Sequence, residues 1–164
     1  MLKKQLILLL FLMVVTPAFA LPAKVKLNHT WMNDNYQSIE LQLQGGEDFL
    51  AIPLINTLVE IWLKRDGAIS GEVSPLIVVA LVNNAEPTLI LLSEHPESFE
   101  KWLNELEGMV FTDHVGTESG KLKKLKYNAV ESMRGYSVSG RPELVVYAEQ
   151  LILRLESISV RAVD

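Results

Sequence analysis

The chain contains no cysteine. That one absence removes thiol nucleophiles, thiolate zinc sites, haem attachment, thioredoxin-type redox chemistry and any lipid anchor through a thiol. It removes disulfides too, so the fold must be held by a hydrophobic core. Histidine is scarce: His29, His95 and His114 are the only three. No pair of them has the i, i+4 spacing that sets two imidazoles on one helix face for zinc. His95-Pro96-Glu97 resembles the H-x-E half of a zinc deaminase, but its P-C-x-x-C companion is impossible without cysteine. There is no phosphate-cradling glycine loop, no dinucleotide fingerprint and no clean internal repeat. Positive charge is in the minority, with 15 Lys and Arg against 20 Asp and Glu and a formal net charge of −5. Nucleic-acid binding requires clustered cations and is not expected as a general activity. No cofactor and no metal is expected.

What is present begins with export. Lys3 and Lys4 precede an unbroken apolar run from Leu6 to Val15, and Ala18-Phe19-Ala20 supplies small residues for cleavage after Ala20. This is the pattern of a signal peptide. The run is short against the roughly 20 apolar residues of a transmembrane helix, so no stable membrane anchor is expected after cleavage. Loss of Lys3 and Lys4 would take the net charge from −5 two units further, to −7. The expected location is the periplasm or the outside of the cell. Residues 21–164 are read as one domain, with 21–46 partly extended or disordered, and a domain of that size can bury a sufficient core.

The fold class predicted is all-α: a compact multi-helix domain or a short stack of helical hairpins. Leu144, Ala148, Leu151, Leu155 and Ile158 step by four, three, four and three, which puts them on one helical stripe. That helix is expected from Pro142 to about Ser159. Phe99, Trp102, Leu103 and Leu106 share a face of a second helix, expected from Pro96 and stopped by Gly108. Leu122, Leu125, Ala129, Val130 and Met133 mark a third from Ser119, ended by Gly135. Lysines crowd its first turns, where the helix dipole prefers acids.

Pro53 is expected to hold the start of a helix to Ala51 or Ile52, and Ser74-Pro75 to open another. Periodicity leaves Leu76 to Val82 open between buried helix and buried strand, and the Ser-Pro start favours helix. Residues 36–44 fit both an alternating strand and a helix, with helix preferred because Leu, Glu and Gln are good helix formers.

The stretch GYSVSG, Gly135 to Gly140, resembles a serine-hydrolase elbow, but neither Ser137 nor Ser139 has both glycines that G-x-S-x-G demands. No histidine follows it. It reads as a turn between helices. Asp113, His114 and Glu118 form the best local cluster of acid, base or ligand groups, in a polar loop containing Gly116 and Gly120. Lys121, Lys123, Lys124 and Lys126 form the densest charge run in an acidic chain. With Tyr127 they make a candidate docking face for a protein with an acidic patch. Trp31, in the polar stretch NHTWMNDN, is the tryptophan expected at the surface and a candidate anchor. Two functions follow. One is an exported, non-catalytic protein that binds another protein, of inhibitor, immunity or envelope-adaptor type. The alternative is a small envelope hydrolase using carboxylates and His114.

Overall fold

The computed structural model describes residues 29–45, 48–65 and 67–163. The segment read as a signal peptide lies outside them, as do residues 21–28. The described residues form eight helices: α1 (His29–Asp34), α2 (Tyr36–Gln44), α3 (Asp48–Lys64), α4 (Gly67–Asn83), α5 (Ala85–Ser93), α6 (Pro96–Val110), α7 (Ser119–Ser139) and α8 (Pro142–Ser157). Two short strands, β1 (Thr112–Asp113) and β2 (Arg161–Ala162), pair in parallel with Thr112 opposite Arg161. The chain is all-α, as its patterning predicts. Within 21–46, read as partly extended or disordered, His29–Asp34 and Tyr36–Gln44 are helical.

The apolar run 76–82 explains the architecture. It lies in α4, whose Val73, Leu76, Ile77, Val78, Val79, Ala80 and Leu81 are all buried. A helix apolar on every side must be covered on every side. Here α2, α3, α5, α6 and α7 all pack on α4. The outer helices are amphipathic instead. The stripe of α8, Leu144, Ala148, Leu151 and Leu155, is buried together with Ile158 just beyond its end. Phe99, Trp102, Leu103 and Leu106 of α6 are buried too. The short connection between α7 and α8 makes them adjacent neighbours.

Four helix breakers do not break. α3 starts at Asp48 and carries Pro53 inside it, and α4 starts at Gly67 and carries Pro75 inside it. A proline removes one N–H and crowds the carbonyl four residues back. At Pro53 that carbonyl belongs to Phe49, and both residues are exposed, so water can take the freed acceptor. α6 runs through Gly108 to Val110, because Val110 and Phe111 gain burial that outweighs the roughly 1 kcal/mol cost of a helical glycine. α7 runs through Gly135 to Ser139.

GYSVSG is therefore mostly the last turn of α7. Ser137 and Ser139 donate back to the carbonyls of Arg134 and Gly135 at 2.8 and 3.4 Å. These are serines serving a helix end. Gly140 has a different task. The Tyr136 ring lies where its side chain would be: a Cβ at 140 would fall 2.6 Å from ring carbons Cδ1 and Cζ. Tyr136 also accepts the Arg141 N–H and donates to Glu86, each at 3.3 Å. Gly140→Ala is thus expected to push the ring out and to cost about 1–3 kcal/mol, read as a lower urea midpoint. Tyr136→Ala should make Gly140→Ala nearly neutral in the same assay.

Candidate functional site

Asp113 ends β1 and is buried. Its Oδ1 accepts the N–H groups of Val115 and Gly116 at 3.1 and 2.7 Å. Its Oδ2 accepts the N–H groups of Glu118 and Ser119 at 2.9 and 2.7 Å, and the Ser119 hydroxyl at 2.8 Å. The carboxylate thus closes the loop and caps α7. Gly116 makes the loop possible, with φ at +79°. Burial pushes the Asp113 carboxyl up, but hydrogen bonds from Ser119, Gly116, Glu118 and Val115 together overcome it and hold the pKa below the usual 3.8. Both oxygens are committed to structure. His114 and Glu118 are exposed. Among the described residues, no group of three or more His, Cys, Asp or Glu is placed to hold a metal ion.

The lysines that crowd the start of α7 are accounted for by the same cap. A carboxylate sits at the positive end of the helix, and Lys121 lies 3.8 Å from Glu40 of α2. The four lysines divide between two sides of α7. Lys121 and Lys124 border a small hollow with Glu40 and Asn128. Lys123, Lys126 and Tyr127 line an open groove of about 770 Å³ between α7 and the residues that follow α8. Its other walls are Val130, Glu131 and Arg134 of α7, with Glu156, Ile158, Ser159 and Val160. Arg134 bridges Glu131 and Glu156 at 2.8 and 2.6 Å, so the groove's three cations and two carboxylates leave it one net positive charge. Lys126 donates to the Ile158 carbonyl. Tyr127 is 65% exposed.

Trp62 and Trp102 are fully buried. Trp31 is the most exposed of the three, but it is half-buried and packed against the core rather than projecting. Among the described residues, it lines neither of the two hollows that the α7 lysines border.

A smaller pocket of about 280 Å³ takes in Tyr36, Glu40, His114 and Glu118. Burial and then the nearby Glu40, Glu118 and Glu72 push the Tyr36 hydroxyl up to about 12. That tyrosine is therefore a hydrogen-bond donor rather than a base near neutral pH.

Sequence reasoning missed a cleft of about 590 Å³ where the end of α3, the start of α4, the outer face of α6 and the C-terminal segment meet. Arg65, Arg154 and Arg161 all face it. They come from distant parts of the chain, and no local spacing joins them. The Asp113 cap, by contrast, had a signal: an aspartate shortly before a glycine and a serine is the composition of a side-chain-capped turn.

No protein-family model, curated protein or solved structure matches this chain. Among the described residues, no helix is long and apolar enough to cross a membrane.

Proposed function

We propose that this chain is an exported, non-catalytic helical protein that binds another protein, of inhibitor, immunity or envelope-adaptor type. The observation that carries this reading is Tyr127, an exposed aromatic flanked by Lys123 and Lys126 over an open groove. An aromatic presents a large contact area at low entropic cost, and Tyr is among the residues that dominate interface energies. Two lysines beside it, in a chain of net charge −5, favour an acidic segment of the partner. The periplasm or the cell exterior is the proposed location, resting on Lys3, Lys4 and the apolar run after them.

The test is cross-linking in the intact envelope with the native chain and with Lys123→Glu/Lys126→Glu/Tyr127→Ala. Capture of one consistent acidic partner should fall at least about 10-fold in the variant, as expected when an aromatic anchor and its flanking charges are lost. Far-UV circular dichroism should be unchanged, because none of the three side chains belongs to the buried core. Equal capture by both chains removes this surface from the function. The small-hydrolase reading draws on the pocket that joins Glu40, His114 and Glu118. Turnover of cell-wall fragments that is abolished by His114→Ala/Glu118→Ala would favour it over binding.

A further inference from the structure

The cleft missed by sequence reasoning has the chemistry of an anion site. Arg65 is its deepest cation, with a side chain only 8% exposed. Its guanidinium lies over the Trp62 ring, 2.9 Å from the centroid, and Nη1 donates to the Trp62 carbonyl at 2.6 Å. Among the described residues, Nη2 has no hydrogen-bond partner. Among the described residues its counter-charge is Glu105 Oε2 at 3.7 Å, and Glu105 is shared with Lys101 at 3.9 Å. A buried charged donor with an unused N–H is costly unless something completes it.

The other cations are held in place by the fold. Arg154 reaches from α8 to α6, donating through Nε to the Leu103 carbonyl at 2.8 Å and through Nη2 to the Asn104 carbonyl at 3.0 Å. Arg161 is fixed by Glu107 at 2.7 Å. Four cations, Arg65, Lys101, Arg154 and Arg161, therefore face two carboxylates, Glu105 and Glu107, in a protein whose overall charge is negative. Gly67 also lines the cleft, and it opens the 17-residue α4. The positive end of that helix dipole adds to the field.

We infer that this cleft binds the phosphate group of a small phosphorylated molecule, with Arg65 as its buried anchor and Arg154, Arg161 and Lys101 around it. Guanidinium groups offer paired donors that match tetrahedral oxyanions. The volume of about 590 Å³ lies within the range of small-molecule sites and leaves room for the organic part of an ester. The cleft shares no residue with the α7 groove, so this inference stands apart from the protein-binding reading.

The experiment is a thermal-unfolding titration of the full chain with inorganic phosphate and, separately, with phenyl phosphate. Sodium chloride at matched ionic strength serves as the baseline. Ligand at about ten times its Kd should raise the midpoint by roughly 3–5 °C above that baseline. A larger gain with phenyl phosphate assigns the site to an ester, and a gain with inorganic phosphate alone assigns it to the free ion. Arg161→Gln and Lys101→Gln alter mostly exposed side chains and should fold normally. Each is expected to weaken binding at least about 5-fold, as for loss of one charge-assisted contact. Shifts no larger than those from chloride, or shifts that survive both substitutions, overturn the inference.

Discussion

Replacing Trp102 with alanine is expected to lower the unfolding free energy by about 3–5 kcal/mol, the range for truncating a large buried aromatic. Trp102 is fully buried between α6 and α4, against Phe99 at a ring separation of 6.3 Å. Its indole N–H donates to the Ser74 hydroxyl at 3.1 Å, and that hydroxyl reaches the Met109 sulfur at 3.6 Å. α4 is the helix on which most others pack, so a void beside it leaves several elements under-filled. A natural domain has only about 5–15 kcal/mol to lose. The variant should therefore sit near its unfolding threshold at 37 °C. Urea titration followed by circular dichroism checks this, with an unchanged m-value showing that stability rather than compactness has moved. Ser74→Ala separates the two contributions. It keeps the ring and orphans its N–H, and should cost about 1–3 kcal/mol. A Trp102→Ala loss no larger than that of Ser74→Ala would show that the ring packs far less closely than its burial implies.

The second large effect concerns Asp113. An asparagine in its place would have nearly the same shape but only one full acceptor. Its amide would face N–H donors from Val115 and Gly116 or from Glu118 and Ser119. Asp113→Asn is expected to lower the thermal midpoint near pH 7 by roughly 5 °C or more. The difference should depend on pH in a definite direction. The folded-state pKa of Asp113 lies below its usual value of 3.8. Its contribution is thus complete above the unfolded-state pKa and is lost as pH falls through the folded one. The gap between native protein and variant should be widest at neutral pH and narrow steadily below about pH 4. Glu143 titrates in the same sense. Its own backbone N–H and then Arg141 lower its pKa, but it does so in both proteins and cancels in the comparison. A gap that stays constant from neutral pH to pH 2.5 would mean that the charge of Asp113 is not what holds the loop.

These two residues mark what the sequence could and could not convey. The face that buries Trp102 was legible, because Phe99, Trp102, Leu103 and Leu106 repeat at helical spacing and burial followed the repeat. The starts at Pro96 and Pro142 were legible as well, since proline at a first helical position leaves no bond unmade. Pro53, Pro75, Gly108 and Gly135 misled, because local propensity is worth about 1–3 kcal/mol at most and tertiary burial can exceed it. Asp113 was legible as a polar loop residue but not as a tie. An acid next to a histidine in a polar loop suggested chemistry, whereas its five hydrogen bonds use the carboxylate as a structural tie. The arginine cleft left no trace. Arg154 reads as an off-stripe residue of α8, Arg65 as a helix end and Arg161 as part of a tail, and only the fold brings them within reach of one another.

The parallel strand pair has a consequence for that tail. Beyond α8, Lys126 holds the Ile158 carbonyl, and the strand pair then ties the backbone through two amides, Arg161 to the Phe111 carbonyl and Val163 to the Asp113 carbonyl, both at 3.1 Å. So short a ladder has almost no cooperativity of its own, and its amides should exchange with deuterium well ahead of those in the helical interior. Arg161 stands on this short ladder, so its ion pair with Glu107 is what keeps that wall of the cleft in place when the ladder opens.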